Sequence, residues 1–232
     1  MTAGRAHPRA LERTLLSVSE QGYPLLDHLV CLTDQGDDPR AKAAAQLLSS
    51  HRSNLAYLST SPNGGRVTAL NRGFDEAVGD VLCLLEPGSV LLPGALAFAA
   101  RYLERHPEVD VVYGHQLLID GNGCEVGRWL LPPHRDESLQ QGGWIPPSGL
   151  FWRRRSWEAL GGRIEPGRSA AQRLVSALVE TGSLPARAPR FFAATQISSP
   201  SAAAPDPALS SAAYRRRHLT LQKLHRAHLL RH

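Results

Sequence analysis

Short apolar runs alternate with stretches of helical period along this chain, and that alternation restricts the fold more than any other feature. "DHLVCLT", "NLAYLST", "DVLCLL" and "VDVVYGHQLLID" have the length and content of strands, the first suited to burial on both faces. Between and around them lie "RALERTLLSVSEQ", "AKAAAQLLSS", "RVTALNRGFDEAV" and "PGALAFAARYLERHP". In the first of these helices Leu11, Leu15, Leu16 and Val18 recur at helical spacing, and Gly22, Tyr23 and Pro24 end it. The "DGNG" after Ile119 predicts a hairpin turn. An order of this kind predicts an α/β domain with a largely parallel sheet. Ligands in such a sheet sit beyond the carboxyl ends of the strands, which directs attention to "TDQGDD", "SPNGG" and "EPGS".

Composition removes several classes of function. At 232 residues, 42% hydrophobic and 20% charged, the chain can bury one sizeable core. Proline or glycine interrupts every longer apolar run, so none approaches the roughly 20 residues of a membrane-crossing helix. The N-terminal "MTAGRAHPRALERTLLSV" lacks the apolar centre of a secretory signal. Cys31, Cys83 and Cys124 are odd in number and far apart, which argues against a disulfide framework or zinc site and for a reduced, cytoplasmic setting. The net charge of +5 belongs to the tail: residues 212–232 carry six Arg or Lys and no acid, and without them 20 bases face 21 acids. A near-neutral body gives no electrostatic reason to expect nucleic acid as a partner.

Four segments, "SVSEQGYPLLDHLVCLTDQGDD", "SPNGGRVTALNRGFDEAVGDVLCLLEPGSVLLPGAL", "HPEVDVVYGHQLLIDGNGCEVG" and "IPPSGLFWRRRSWEALGG", resemble in order and spacing the family 2 glycosyltransferases. The resemblance covers roughly residues 9 to 185. It implies the GT-A fold, a Rossmann-like, mostly parallel sheet flanked by helices. It further implies transfer of a sugar from a nucleotide-sugar donor to a glycan or lipid-linked acceptor, usually with inversion, in polysaccharide or glycolipid biosynthesis. Such a transfer requires a held nucleoside, neutralisation of the diphosphate by a hard cation or cationic groups, and a general base for the acceptor hydroxyl.

Matching the family's positions to this chain yields the candidate residues. An acidic pair after the second strand falls on Thr33 and Asp34, leaving one carboxylate for base or ribose; Asp37 and Asp38 follow, and all can equally solvate a turn or cap a helix. Asn63 and Gly64 of the glycine-rich turn, then Asn71, Arg72 and Gly73, match the nucleotide-facing segment, with Arg72 able to meet a phosphate. A plain turn ahead of an amphipathic helix is the simpler reading of that segment. The family's metal-holding acids fall on Glu86, Gly88 and Ser89, so a divalent cation, Mg²⁺ or Mn²⁺, is expected to be held weakly at best, through Glu86. "EPGS" also reads as an ordinary turn. The catalytic-base position falls on Gln172, whose neutral amide cannot take a proton. Glu165 and His115 are the nearby groups able to act as bases, although a lone histidine at a strand end is commonly structural. Arg153, Arg154 and Arg155 offer further charge for a diphosphate, and Trp144, Trp152 and Trp157 offer a sugar-stacking wall or core packing.

Two departures complete the reading. No first strand with a Pro-Thr-Tyr-Asn-like turn is recognisable before "RALERTLL", so the fold is expected to be truncated at its N-terminus, through an upstream start or as a remnant. Beyond residue 197, the end of the GT-A-like domain, residues 198–211 read as a flexible linker and 212–232 as a basic helix. That helix suits contact with a membrane surface, a partner protein or a lipid-linked acceptor, or docking on the body. Two functions stay open: a glycosyltransferase of weak or no turnover, and a non-catalytic relative that binds or scaffolds beside an active transferase.

Overall fold

The computed structural model describes residues 1–4, 8–32, 55–59, 65–131, 145–164, 170–183 and 185–197, with Pro39, Ala43 and Gln46. The strands are β1 (Thr2–Gly4), β2 (His28–Leu32), β3 (Leu55–Ser59), β4 (Val81–Leu84), β5 (Val90–Leu91), β6 (Val111–Ile119), β7 (Glu125–Trp129), β8 (Leu150–Arg153) and β9 (Pro185–Gln196). The helices are α1 (Pro8–Ser19), α2 (Gly65–Glu76), α3 (Ala95–Arg105), α4 (Arg154–Ala159) and α5 (Ala170–Glu180). The helix expected over "AKAAAQLLSS" falls largely outside the described residues, as do the linker and the basic helix beyond residue 197.

Each long element follows from its side chains. Leu11, Leu15 and Val18 turn one stripe of α1 inward, Pro8 opens the helix where its missing N–H is harmless, and Gly22 at φ 60 ends the turn that follows. All five residues of β2 are buried, as a strand covered on both faces requires. The hairpin between β6 and β7 forms on "DGNG": the Asp120 carboxylate accepts from Asn122 N–H and Cys124 N–H, both at 2.9 Å. Among the described residues no helix is long and apolar enough to cross a membrane.

A first strand exists after all. Thr2–Gly4 carries no apolar pattern to announce it, yet its backbone pairs in parallel with Val30–Leu32 of β2. On its other edge Thr2 bridges Leu85 in parallel, and Leu85 N–H donates to the Met1 carbonyl at 2.9 Å. Backbone pairing needs only φ/ψ and an open edge, so three small residues suffice. The Met1 ammonium donates to the Cys83 carbonyl at 2.7 Å, and burial holds its pKa below the usual value. Beyond Met1 lies a cavity of about 290 Å³ lined by Leu29, Val81 and Cys83, with Leu25 and Val78 at 87% and 77% exposure in its wall.

β1 thus joins a parallel unit, β1-β2-β3, to a second unit ordered β4-β8-β6-β9-β5 with β7 on β6. Pairing in the second unit is mixed: β6 runs parallel to β9, while β4–β8, β6–β8, β6–β7 and β5–β9 are antiparallel. The parallel pairing expected from the sequence holds through β1, β2, β3 and the end of β4 and recurs at β6–β9, while the antiparallel pairs are confined to the second unit. Helix α2 lies on β1 and β2 with Gly73 at the contact, where a Cβ would meet Met1 Sδ at 1.9 Å and Cys31 Sγ at 3.0 Å. Phe74 then packs on Trp152 and Trp157 at centroid distances of 5.1 and 4.8 Å, so these two tryptophans serve the core. Trp144 falls outside the described residues.

His28 is buried beside β1 with Nε2 2.8 Å from Thr2 Oγ1. Burial, then the nearby N-terminal charge, lowers its pKa to about 3. Between that value and the usual 6.5 the unfolded chain binds a proton that the folded chain refuses, so this stability is complete above pH 6.5 and lost progressively toward pH 3. Urea unfolding from pH 7.5 down to 5 is expected to show a falling midpoint, and His28→Gln to flatten that slope; an unchanged slope in the variant would refute the assignment.

Candidate functional site

Because β1, β2, β3 and the end of β4 run in the same sense, the chain leaves Leu32, Ser59 and Leu85 along one edge of the sheet. The corner after β4 is the best-described part of this edge. Glu86 through Ser89 forms a turn closed by Ser89 N–H donating to the Glu86 carbonyl at 2.9 Å. Pro87 takes the second position and Gly88, at φ 96, the third, the arrangement of a type II turn. Thr14 of α1, fully buried, holds the turn from beneath: its hydroxyl donates to the Ser89 carbonyl at 2.8 Å and accepts from Gly88 N–H at 2.9 Å. Behind it the buried Ser148 hydroxyl accepts from Glu86 N–H at 3.2 Å.

This packing decides which way each residue faces. A Cβ at Gly88 would meet Gln196 Oε1 at 2.3 Å, and Gln196 is itself held by Arg13 Nη2 at 2.8 Å. Ser89 is 2% exposed. Of the three positions matched to metal-holding acids, Glu86 alone is turned toward solvent, with 28% of its side chain exposed. Its carboxylate forms an ion pair with Nη2 of Arg66, whose side chain is 42% exposed and stands in the first turn of α2. Among the described residues no three His, Cys, Asp or Glu side chains come together.

The other candidates lie as follows. Arg72 is exposed on α2, six residues beyond Arg66 and so about 120° around the helix. Its charge reaches Cys31, next to the last residue of β2, the strand that leads into Thr33 and Asp34. Thr33, Asp34, Asn63, Gly64 and Glu165 fall outside the described residues. Gln172 lies in the first turn of α5, with its side chain outside the described part. His115 sits within β6, 9% exposed; its Nδ1 accepts from Leu131 N–H at 3.1 Å, and Nε2 is 3.2 Å from Arg187 Nη1. Burial first, then the Arg187 charge, lowers its pKa, and a ring with its basic nitrogen so engaged fastens the chain after β7.

The arginine run is a correction. Arg153 pairs with Val81 at the start of β4, five residues and about 17 Å from Glu86. Its guanidinium donates to the carbonyls of Val109, Leu103 and His106, closing the end of α3. Arg154 binds the carbonyls of Ala77 and Gly79, and Arg155 binds Asp110 and the Pro107 carbonyl. All three serve the far end of the sheet, where last-turn carbonyls need donors.

Sequence reasoning missed Arg66, Thr14 and Ser148, and gave Asn71 no separate part. Asn71 grips Ile164 with both amide atoms, Nδ2 donating to its carbonyl at 3.0 Å and Oδ1 accepting its N–H at 2.9 Å. It thereby ties α2 to the segment leading into Glu165 and Gln172. A signal for Arg66 was present: it is a cation in the first helical turn after the glycine-rich "SPNGG".

Comparison with known proteins agrees with this fold. The sequence profile of the family described as glycosyl transferase family 2 matches residues 5–158. Uncharacterized glycosyltransferases of Mycobacterium tuberculosis strains CDC 1551 and H37Rv are each 33% identical over 106 residues, 45% of this chain and 38% of theirs. This chain therefore spans well under two thirds of the curated relatives it matches. The crystal structure of S. aureus TarS 1-349 is similar in fold, with a TM-score of 0.64 at 13% identity over 84% of this chain and 59% of that one. The same protein in complex with UDP gives a TM-score of 0.62 at 14% identity, covering 84% and 60%. Its complex with UDP-GlcNAc gives 0.64 at 14% identity, covering 85% and 58%.

Thr14→Val keeps the shape of the buried side chain and removes both hydrogen bonds to the turn. It is expected to lower the unfolding free energy by about 1–3 kcal/mol in urea. A loss below about 0.5 kcal/mol, within the usual scatter of surface substitutions, would show that the turn stands without Thr14.

Proposed function

This chain belongs to glycosyl transferase family 2, and from that premise we propose that it binds a nucleoside-diphosphate sugar on the edge beyond β2 and β4. The observation carrying this reading is the rigid turn at Glu86, which sets a guanidinium and a carboxylate side by side at the open end of β4. The corresponding fold in TarS is described in complex with UDP and with UDP-GlcNAc, which supports a nucleotide-sugar donor. In this reading Thr33 and Asp34 receive the nucleoside, the backbone at Asn63 and Gly64 approaches it closely, and Arg72 adds positive charge on the nucleoside side.

The reaction is sugar transfer to a glycan or lipid-linked acceptor, with inversion, in polysaccharide or glycolipid biosynthesis. The acceptor oxygen forms a bond to the anomeric carbon as the bond to the diphosphate breaks. Negative charge grows on the departing diphosphate, and the hydroxyl proton must pass to a base. Gln172, at the start of α5, can orient the hydroxyl through its amide but cannot accept the proton. Turnover is accordingly slow, with solvent taking the proton. The same residue favours a second reading, binding without turnover beside an active transferase.

Supplying the missing base separates the two. In UDP-sugar hydrolysis and transfer assays, Gln172→Asp is expected to raise the rate by about 10²-fold or more, the usual worth of a placed base, with little change in donor binding. Donor binding with no turnover in either form would establish the non-catalytic reading. No binding of UDP, GDP or their sugars by the parent protein would overturn both.

A further inference from the structure

The Arg66–Glu86 pair occupies the place where a divalent cation would be expected, and its chemistry differs from that of a metal site. We propose that the Arg66 guanidinium, held by Glu86, takes the role of the cation, so that this protein binds a nucleoside diphosphate without metal. The proposal rests on the nucleotide-sugar reading above and specifies how that site meets the diphosphate.

Three observations carry it. First, the carboxylate that would serve as a metal ligand is already neutralised by a guanidinium, and a divalent ion would compete for the same oxygen against a fixed positive charge beside it. Second, the turn cannot supply further side-chain ligands. Gly88 is packed against Gln196 and Ser89 is buried, so even acids at those positions would be turned from the open side. Third, the pair is open to solvent on the binding edge yet rests on a fixed base, because Ser148 holds the Glu86 backbone and Thr14 holds the turn.

Guanidinium geometry suits this exchange. A divalent cation at such a corner would be held by Glu86 and would supply positive charge to the diphosphate. Arginine supplies the same charge through a planar fork of five N–H donors, of which Glu86 engages Nη2. The remaining donors offer paired, charge-assisted bonds to a diphosphate. Glu86 then orients the guanidinium and coordinates nothing. A positive charge fixed before the ligand arrives also stabilises the diphosphate as it departs, without reorganisation at that moment.

The test is calorimetric titration of the full chain with UDP, once with EDTA and once with Mn²⁺, together with Mn²⁺ alone followed by electron paramagnetic resonance. The parent protein is expected to bind UDP with affinities in the two conditions within about twofold, and to bind no Mn²⁺ by itself. Arg66→Ala, a half-exposed substitution whose folding is checked by circular dichroism, is expected to lose at least about tenfold in affinity in EDTA, near 1.4 kcal/mol. Arg66→Lys should recover part of that loss, and Glu86→Gln, which weakens the hold on the guanidinium but keeps its charge, should lose less affinity in EDTA than Arg66→Ala. UDP binding only with Mn²⁺, abolished in Glu86→Gln, would overturn the proposal and leave the nucleotide-sugar reading intact. Metal-free binding that Arg66→Ala does not weaken would do the same, placing the diphosphate elsewhere. Absence of UDP binding in both conditions would overturn both.

Discussion

Pairing of three residues at the N-terminus holds the two halves of this protein together. Thr2–Gly4 lies between the edge of β2 and the end of β4, and closes both with backbone hydrogen bonds. Without it the parallel unit and the mixed unit would each present unpaired donors and acceptors to a buried seam, an expensive state for backbone groups. Helix α2 depends on the same strand, since Gly73 allows it to settle over Met1 and Cys31 and so brings Phe74 onto Trp152 and Trp157. The binding edge depends on it in turn. Only when β2 and β4 are joined through β1 do the strand ends at Leu32 and Leu85 come to the same edge of the sheet.

That edge is organised by electrostatics on a rigid base. The turn at Glu86 is fixed by two hydroxyl groups from separate parts of the chain, Thr14 on α1 and Ser148 before β8. The turn exposes one carboxylate, and α2 brings one guanidinium to meet it. Asn71, one residue before Arg72, extends the arrangement by clamping the segment that leads to α5. One helix therefore carries the cation at the corner, the cation near the end of β2 and the clamp on the approach to Gln172. A shift of α2 would alter all three together.

Much of this was legible in the residues. Short apolar runs located β2, β3, β4 and β6, and period-3.6 patterns located α1, α2 and α3, since both signals are written in neighbouring residues. "EPGS" and "DGNG" declared their turns through the backbone preferences of proline, glycine and aspartate. β1 was missed because "TAG" has no side-chain pattern; its strand character comes wholly from two neighbours remote in sequence. The arginine run was misjudged for a related reason. Three adjacent cations look like an anion site in a string, while in the fold they cap carbonyls at the opposite end of the sheet.

By itself, the sequence determined the family, the order of elements and the presence of a lone acid at the end of β4, because these follow from residue types and their spacing. The tertiary structure alone decided what that acid does. Glu86 and Arg66 are twenty residues apart, and only the parallel stacking of β2, β1 and β4 beneath α2 makes them a pair. Charge acts through distance in space, and spacing along the chain does not encode that distance until the fold has closed.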